Sequence, residues 1–242
     1  MSDALGPAGA TILARIREAL RVPAPPPHMR SHTTEKAAAA GPAGLTILPA
    51  DVARPWLPDG GDTAEERVAI LTDNLLKLRA EVHRVNDLAA AVETVARIAT
   101  ERGWKRVAWH GHDTVAPIAA RLGCETVRVD AGSFDKNALE ACDAGVTACE
   151  AAVSQTGSIL VSSGTCGGRA LSILPHVHVV VLPVACVTGT LGDAFDLIRE
   201  RHAGRLPSML SFITGPSRTG DIERILVLGA HGPKELIVML VG

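Results

Sequence analysis

Arg106-Val-Ala-Trp-His-Gly-His-Asp-Thr-Val-Ala-Pro-Ile-Ala-Ala-Arg-Leu-Gly-Cys-Glu-Thr-Val-Arg-Val129 is the stretch whose reading decides the fold class. Arg106 to His110 reads as a strand, Thr114 to Leu122 as a helix ended by Gly123, and Glu125 to Val129 as a second strand. The same alternation runs outward on both sides. Upstream, Thr63-Ala-Glu-Glu66 is a capping box that opens a helix expected to run to about Val82, with Val68, Leu71, Leu75 and Leu78 at helical spacing. His83 to Val85 is strand-like, and Asn86 or Asp87 caps a second helix through Ala99, closed by Gly103. Downstream come a helix at Asp135 to Ala141 and strands at Gly145 to Thr147, Ser158 to Val161 and Val177 to Leu182. A helix at Leu191 to Arg201 and strands at Leu210 to Ile213 and Leu236 to Val241 complete the series. Helices alternating with short Val-rich strands mean βα units, hence an α/β fold with a mainly parallel sheet covered by helices.

The N-terminal quarter differs in kind. Thr11 to Leu20 reads as a short amphipathic helix. Arg21 to Gly61 clusters prolines (Pro23, Pro25, Pro26, Pro27) and an alanine run, Ala37 to Ala40, the composition of an extended arm. The expected organisation is an arm over residues 1–61 and an α/β domain over 62–242. A helix on such an arm is expected to pack against a neighbouring subunit, giving a homo-oligomer.

Composition excludes several functions. The chain of 242 residues is 47 % apolar and 21 % charged with net charge −2, so it has a sizeable core and no electrostatic footprint for nucleic acid. Three Phe, three Trp and no Tyr leave little for base stacking or a membrane-interface belt. No apolar run reaches the ~18 residues a spanning helix needs. Cys124, Cys142, Cys149, Cys166 and Cys186 include no C-x-x-C pair, so no cluster or zinc ligand set is expected. An odd count without a secretion signal points to reduced thiols in the cytoplasm. Neither a G-x-G-x-x-G turn nor a phosphate-binding loop is present, and no cofactor is expected.

Chemistry is concentrated in turns. Ser211-Phe-Ile-Thr-Gly-Pro-Ser-Arg-Thr-Gly-Asp221 brings a strand into a turn where Gly215 allows positive φ and Pro216 restricts it. Ser217 and Thr219 can cap a following turn, and Arg218 can fork a carboxylate or phosphate, unless it merely pairs with Asp221. His231 follows between glycines and is the best candidate for a titrating group. Glu150 stands among Ala148, Cys149, Ala151 and Ala152, where an unpaired carboxylate would have a raised pKa; an exposed or backbone-bonded Glu is the alternative. Thr156-Gly157-Ser158 can form an anion-binding nest or an ordinary turn. The loop Ser162 to Arg169 is rich in small residues and ends on a cation; it is either a ligand loop or simply flexible. His176 and His178 are expected on one face of a strand, as a polar sheet end rather than a metal site.

Thr156-Gly-Ser-Ile-Leu-Val161, Leu174-Pro-His-Val-His178, Gly215-Pro-Ser-Arg-Thr-Gly-Asp-Ile-Glu223 and His231-Gly-Pro233 together resemble the LUD domain of the lactate-utilisation protein C family. The similarity covers roughly Thr63 to Gly242. It implies a fold like that of sugar-phosphate isomerases and CoA transferases, Rossmann-like with a smaller antiparallel portion. It also implies a place in a bacterial system oxidising L-lactate to pyruvate beside iron–sulfur partner proteins. Two positions depart from the pattern: Gln155 stands for an acidic residue and Gly220 for Ala. The expected site is a cleft for a small anionic ligand, formed by Thr156 to Ser158, the loop ending at Arg169, the Gly215 to Asp221 turn and His231. Arg218 would grip the anion, Ser217 and Thr219 orient it, and Glu150 or His231 move a proton. An acyl- or CoA-transfer enzyme with Glu150 as nucleophile and a non-catalytic scaffold are the competing readings.

Overall fold

The computed structural model describes residues 57–129, 135–219, 227–228 and 232–242, together with Arg15 and Glu18, which are helical. The chain divides into two compact units, Met1–Ala53 and Arg54–Gly242.

In the second unit, five helices and twelve strands are described. The helices are α1 (Ala64–Lys77), α2 (Leu88–Glu101), α3 (Ala116–Arg121), α4 (Lys136–Glu140) and α5 (Leu191–Arg201). Six strands form an all-parallel sheet: β1 (Glu81–Val85), β2 (Arg106–Trp109), β3 (Glu125–Arg128), β4 (Ala144–Thr147), β7 (Val177–Pro183) and β12 (Glu235–Val241). Their order is β1-β12-β7-β4-β2-β3. A smaller sheet, ordered β8-β5-β6-β9, contains β5 (Ala151–Val153), β6 (Ser158–Ser162), β8 (Val187–Thr188) and β9 (Leu210–Ile213). Antiparallel pairing joins β6 to β5 and β9, the smaller antiparallel portion that the resemblance implied, and β5 and β8 run parallel, so the small sheet is mixed. The short pair β10 (Arg218–Thr219) and β11 (Val227–Leu228) is antiparallel.

The central strands are apolar at nearly every position because both faces are covered. Val177, Val179 and Val181 of β7 pack with Ala91, Val95 and Ile98 of α2. Their neighbours Val180 and Leu182 face Leu71 and Leu75 of α1 and Ile159 and Val161 of β6. The small sheet and α1 therefore form a layer on one face of the large sheet.

Helix starts follow local chemistry. Thr63 Oγ1 accepts the Glu66 N–H at 3.2 Å while Glu66 Oε2 accepts the Thr63 N–H at 2.9 Å, the capping box read from the sequence. Asp87 caps α2 through the Ala90 N–H. Thr190 and Asp193 form a second capping box at α5. The end of α1 differs from expectation: it stops at Lys77, not near Val82, because Arg79 turns to φ 68° and Val82 joins β1. No glycine or proline announces that break.

Candidate functional site

In the large sheet the strand order reverses between β2 and β4, the position where open α/β sheets usually bind ligands beyond their carboxyl ends. Here the loop after β6 covers it. A Cβ on Gly167, at φ 62°, would stand 2.7 Å from His110 Cβ and 2.9 Å from the Val129 carbonyl oxygen. His110 is buried beneath. Arg169 is committed at the edge of this loop, donating to the Ser208 carbonyl at 2.6 Å.

Glu150 lies at the same end of the small sheet. It is 7 % exposed and paired. Ser162 Oγ donates to its Oε1 at 2.6 Å, and Arg201 Nη1 donates to its Oε2 at 3.1 Å and its carbonyl at 2.7 Å. His202 Nε2 stands 3.5 Å from Oε1, within ion-pair reach when protonated but not hydrogen-bonded. This arrangement ties the end of α5 to β5 and β6. It answers the cost of burying a carboxylate with a cation and a hydroxyl.

The turns at the opposite end of β6 form a second group. Ile159, next to Ser158, pairs with Ile213 across β6 and β9, whereas Ser162 pairs with Leu210. Four strand steps separate the two ends by about 13 Å. At the Ser158 end, Thr156 Oγ1 donates to Ser158 Oγ at 2.8 Å, and Ser158 Oγ shares a 2.7 Å hydrogen bond with Thr214 Oγ1. Gly157 and Gly215 both take positive φ, 67° and 86°, and both press on Leu78: a Cβ would meet Leu78 Cδ1 at 2.9 Å from the first and Leu78 Cβ at 3.1 Å from the second. The Gly157 N–H is donated to the Val153 carbonyl at 3.0 Å, so that amide closes the turn itself. Arg218, exposed on β10, folds its Nη2 to 3.7 Å from where a Gly215 Cβ would be. Ser217 N donates to the Pro233 carbonyl at 2.9 Å, joining this turn to residues 232–233. Thr219 is the second residue of β10. Gly220, Asp221 and His231 lie outside the described residues.

The structure thus brings Thr156, Gly157, Ser158, Gly215, Ser217 and Arg218 together and sets Glu150 and Arg169 at the other end of the small sheet. The departure at Gln155 has a use: its Nε2 donates to the Pro58 carbonyl at 2.7 Å, which a carboxylate could not do.

Beside the Gly215 turn is a cavity of about 190 Å³ between the two sheets. Gly215 and Ser217 line it, with Ser211 of β9 and the preceding Met209 on one side and His178 and Leu236, paired across β7 and β12, on the other. It lies at the amino ends of β7 and β12. His178 is 1 % exposed. Its Nε2 meets Thr147 Oγ1 at 2.8 Å, and its Nδ1 has no hydrogen-bond partner among the described residues. Burial pushes its pKa down to about 3, so the ring is neutral. The expectation that His176 and His178 share a strand face fails. His176 precedes β7 and is exposed, while His178 faces inward. His178, Ser172 and Thr214 were not among the expected site residues; for His178 the signals in the sequence are its place in the Leu174 to His178 motif and in a valine-rich strand.

The sequence profile described as LUD domain matches residues 68–241. Lactate utilization protein C of Bacillus subtilis (strain 168) is 32 % identical over 114 residues, 46 % of this chain, and the chain spans about half of that relative's length, 48 %. Lactate utilization protein C of Bacillus licheniformis is 27 % identical over 195 residues, 75 % of this chain and 80 % of that protein. Among solved structures, a DUF162 family protein from Deinococcus radiodurans superposes with a TM-score of 0.57 and 26 % identity, covering 75 % of this chain and 100 % of that one. Among the described residues no helix is long and apolar enough to cross a membrane.

Proposed function

Because the chain belongs to the LUD-domain family, we propose that it is a component of a bacterial system that oxidises lactate to pyruvate, acting in the cytoplasm beside iron–sulfur partner proteins. In this reading residues 62–242 bind a small anionic ligand, and residues 1–61 form an arm that contacts a neighbouring subunit. The names of the relatives support the pathway. One observation supports the ligand: the Arg218 guanidinium folds back to the Gly215 turn, which lines the cavity beside Thr214, itself hydrogen-bonded to Ser158. Arg218 supplies the positive charge, and the neighbouring hydroxyls supply direction.

Acyl or CoA transfer through Glu150 is the alternative. It would require that carboxylate to leave both Ser162 and Arg201 before attacking, and the cavity is lined by other residues. A thermal-shift panel of lactate, pyruvate, CoA esters, nucleotides and sugar phosphates tests the proposal. A ligand at ~100 times its Kd stabilises by about 2.7 kcal/mol, and Arg218→Ala removes that shift while leaving the unliganded Tm in place. No shift with any anion, or an equal shift in the variant, would discard this site.

A further inference from the structure

The cavity beside the Gly215 turn has a character that the anion site does not explain. Among the described residues, the side chains lining it carry hydroxyls (Ser172, Ser211, Thr214), apolar groups (Met209, Ile213, Leu236) and one imidazole, with no lysine, arginine or carboxylate. A net charge buried there would lack a counter-charge and carry a heavy desolvation cost. A short aliphatic stem would fit, and it would have to bring one polar atom. His178 is fully enclosed, and buried polar atoms are nearly always paired. Yet Nδ1 has no partner among the described residues, while Nε2 is held by Thr147. If Nε2–H donates to Thr147, Nδ1 is an acceptor ready for a hydroxyl; if Thr147 donates, Nδ1–H is a donor ready for a carbonyl.

We propose that this cavity binds the uncharged, oxygen-bearing end of a short aliphatic molecule, with His178 Nδ1 hydrogen-bonded to its hydroxyl or carbonyl oxygen. This deepens the anionic-ligand reading and rests on it for one point only: a charged group on the same molecule stays outside, at Arg218. His178 then selects ligands by an oxygen on the chain, while Arg218 selects by charge.

The experiment uses the full chain with ¹⁵N-labelled histidine, assigning His178 among the nine histidines by the resonance lost in His178→Phe. The probes are 1,2-propanediol, which is neutral, and L-lactate. The diol should move the His178 ring nitrogens saturably, and Ser211→Leu, which fills the cavity from β9 and leaves His178 in place, should abolish the movement. A His178 signal that stays still, or drifts linearly without saturating, overturns the inference. The two readings fail separately. Lactate binding that depends on Arg218 but leaves His178 unmoved keeps the anion site and overturns the cavity assignment. A saturable response to the diol without any response to lactate keeps the cavity assignment and removes the anion.

Discussion

Arg201→Ala should cost about 2 kcal/mol of folding stability, a figure that follows from how the Glu150 cluster is buried. Breaking a fully buried pair costs ~3–5 kcal/mol and an exposed one ~0–1 kcal/mol. The side chains of Glu150 and Arg201 are 9 % and 41 % exposed, which places this pair between the two. The deleted guanidinium also loses its bond to the Glu150 carbonyl at 2.7 Å. A double-mutant cycle with Glu150→Gln separates these contributions, because the carbonyl bond is present in both backgrounds and cancels. What remains is the carboxylate–guanidinium coupling, expected at about 1 kcal/mol. Urea unfolding followed by circular dichroism measures each corner of the cycle through the midpoint at constant m. Repeating it in about 0.5 M salt should leave most of the coupling, since a pair with one buried partner is poorly screened. A coupling below about 0.3 kcal/mol, or one that vanishes in salt, would show that Arg201 does not hold Glu150 and that the cluster's structural role is wrong.

Burial of His178 makes a pH prediction. The unfolded chain protonates this ring near 6.5 and the folded chain only near 3. The contribution is therefore complete above 6.5 and is lost as pH falls, by up to about 1.4 kcal/mol per pH unit. His178→Phe should flatten this part of the stability–pH curve between 6.5 and 3; parallel curves for the two proteins would refute it. Gly215→Ala should destabilise by about 1–2 kcal/mol from its positive φ alone, more with the Leu78 contact, as read by thermal denaturation. An unchanged Tm would mean that the turn is not held as described. Cys142, Cys149 and Cys166 are buried with pKa values raised by desolvation, to about 11 for Cys142 and Cys166. A native thiol titration should accordingly find only Cys124 and Cys186 reactive at neutral pH, and all five Cys after unfolding.

Elements with strong local signals were legible. The boundaries of α5 are legible in the sequence, because Thr190 and Asp193 announce its start and two arginines its end. The parallel sheet was legible because burial on both faces demands unbroken valine-rich runs such as Val177 to Leu182. Short β5, β8, β10 and β11 escaped the reading, since two or three residues carry no measurable period. Within the site, the Thr156–Ser158 and Gly215–Arg218 turns could each be recognised by composition. That they share Leu78 and a Ser158–Thr214 hydrogen bond could not.

The amino-acid order by itself determined the helix caps, the buried strands and the family to which the domain belongs, because these depend on neighbours a few positions apart or on a motif read in line. Only the tertiary structure decided that Glu150 is anchored rather than exposed at a site, that β6 separates it from the Gly215 turn, and that His178, on a cavity wall, turns one nitrogen to Thr147 and leaves the other without a partner among the described residues. Those outcomes depend on strand register between segments dozens of residues apart, and a single-residue slip in register would send each of these side chains to the opposite face.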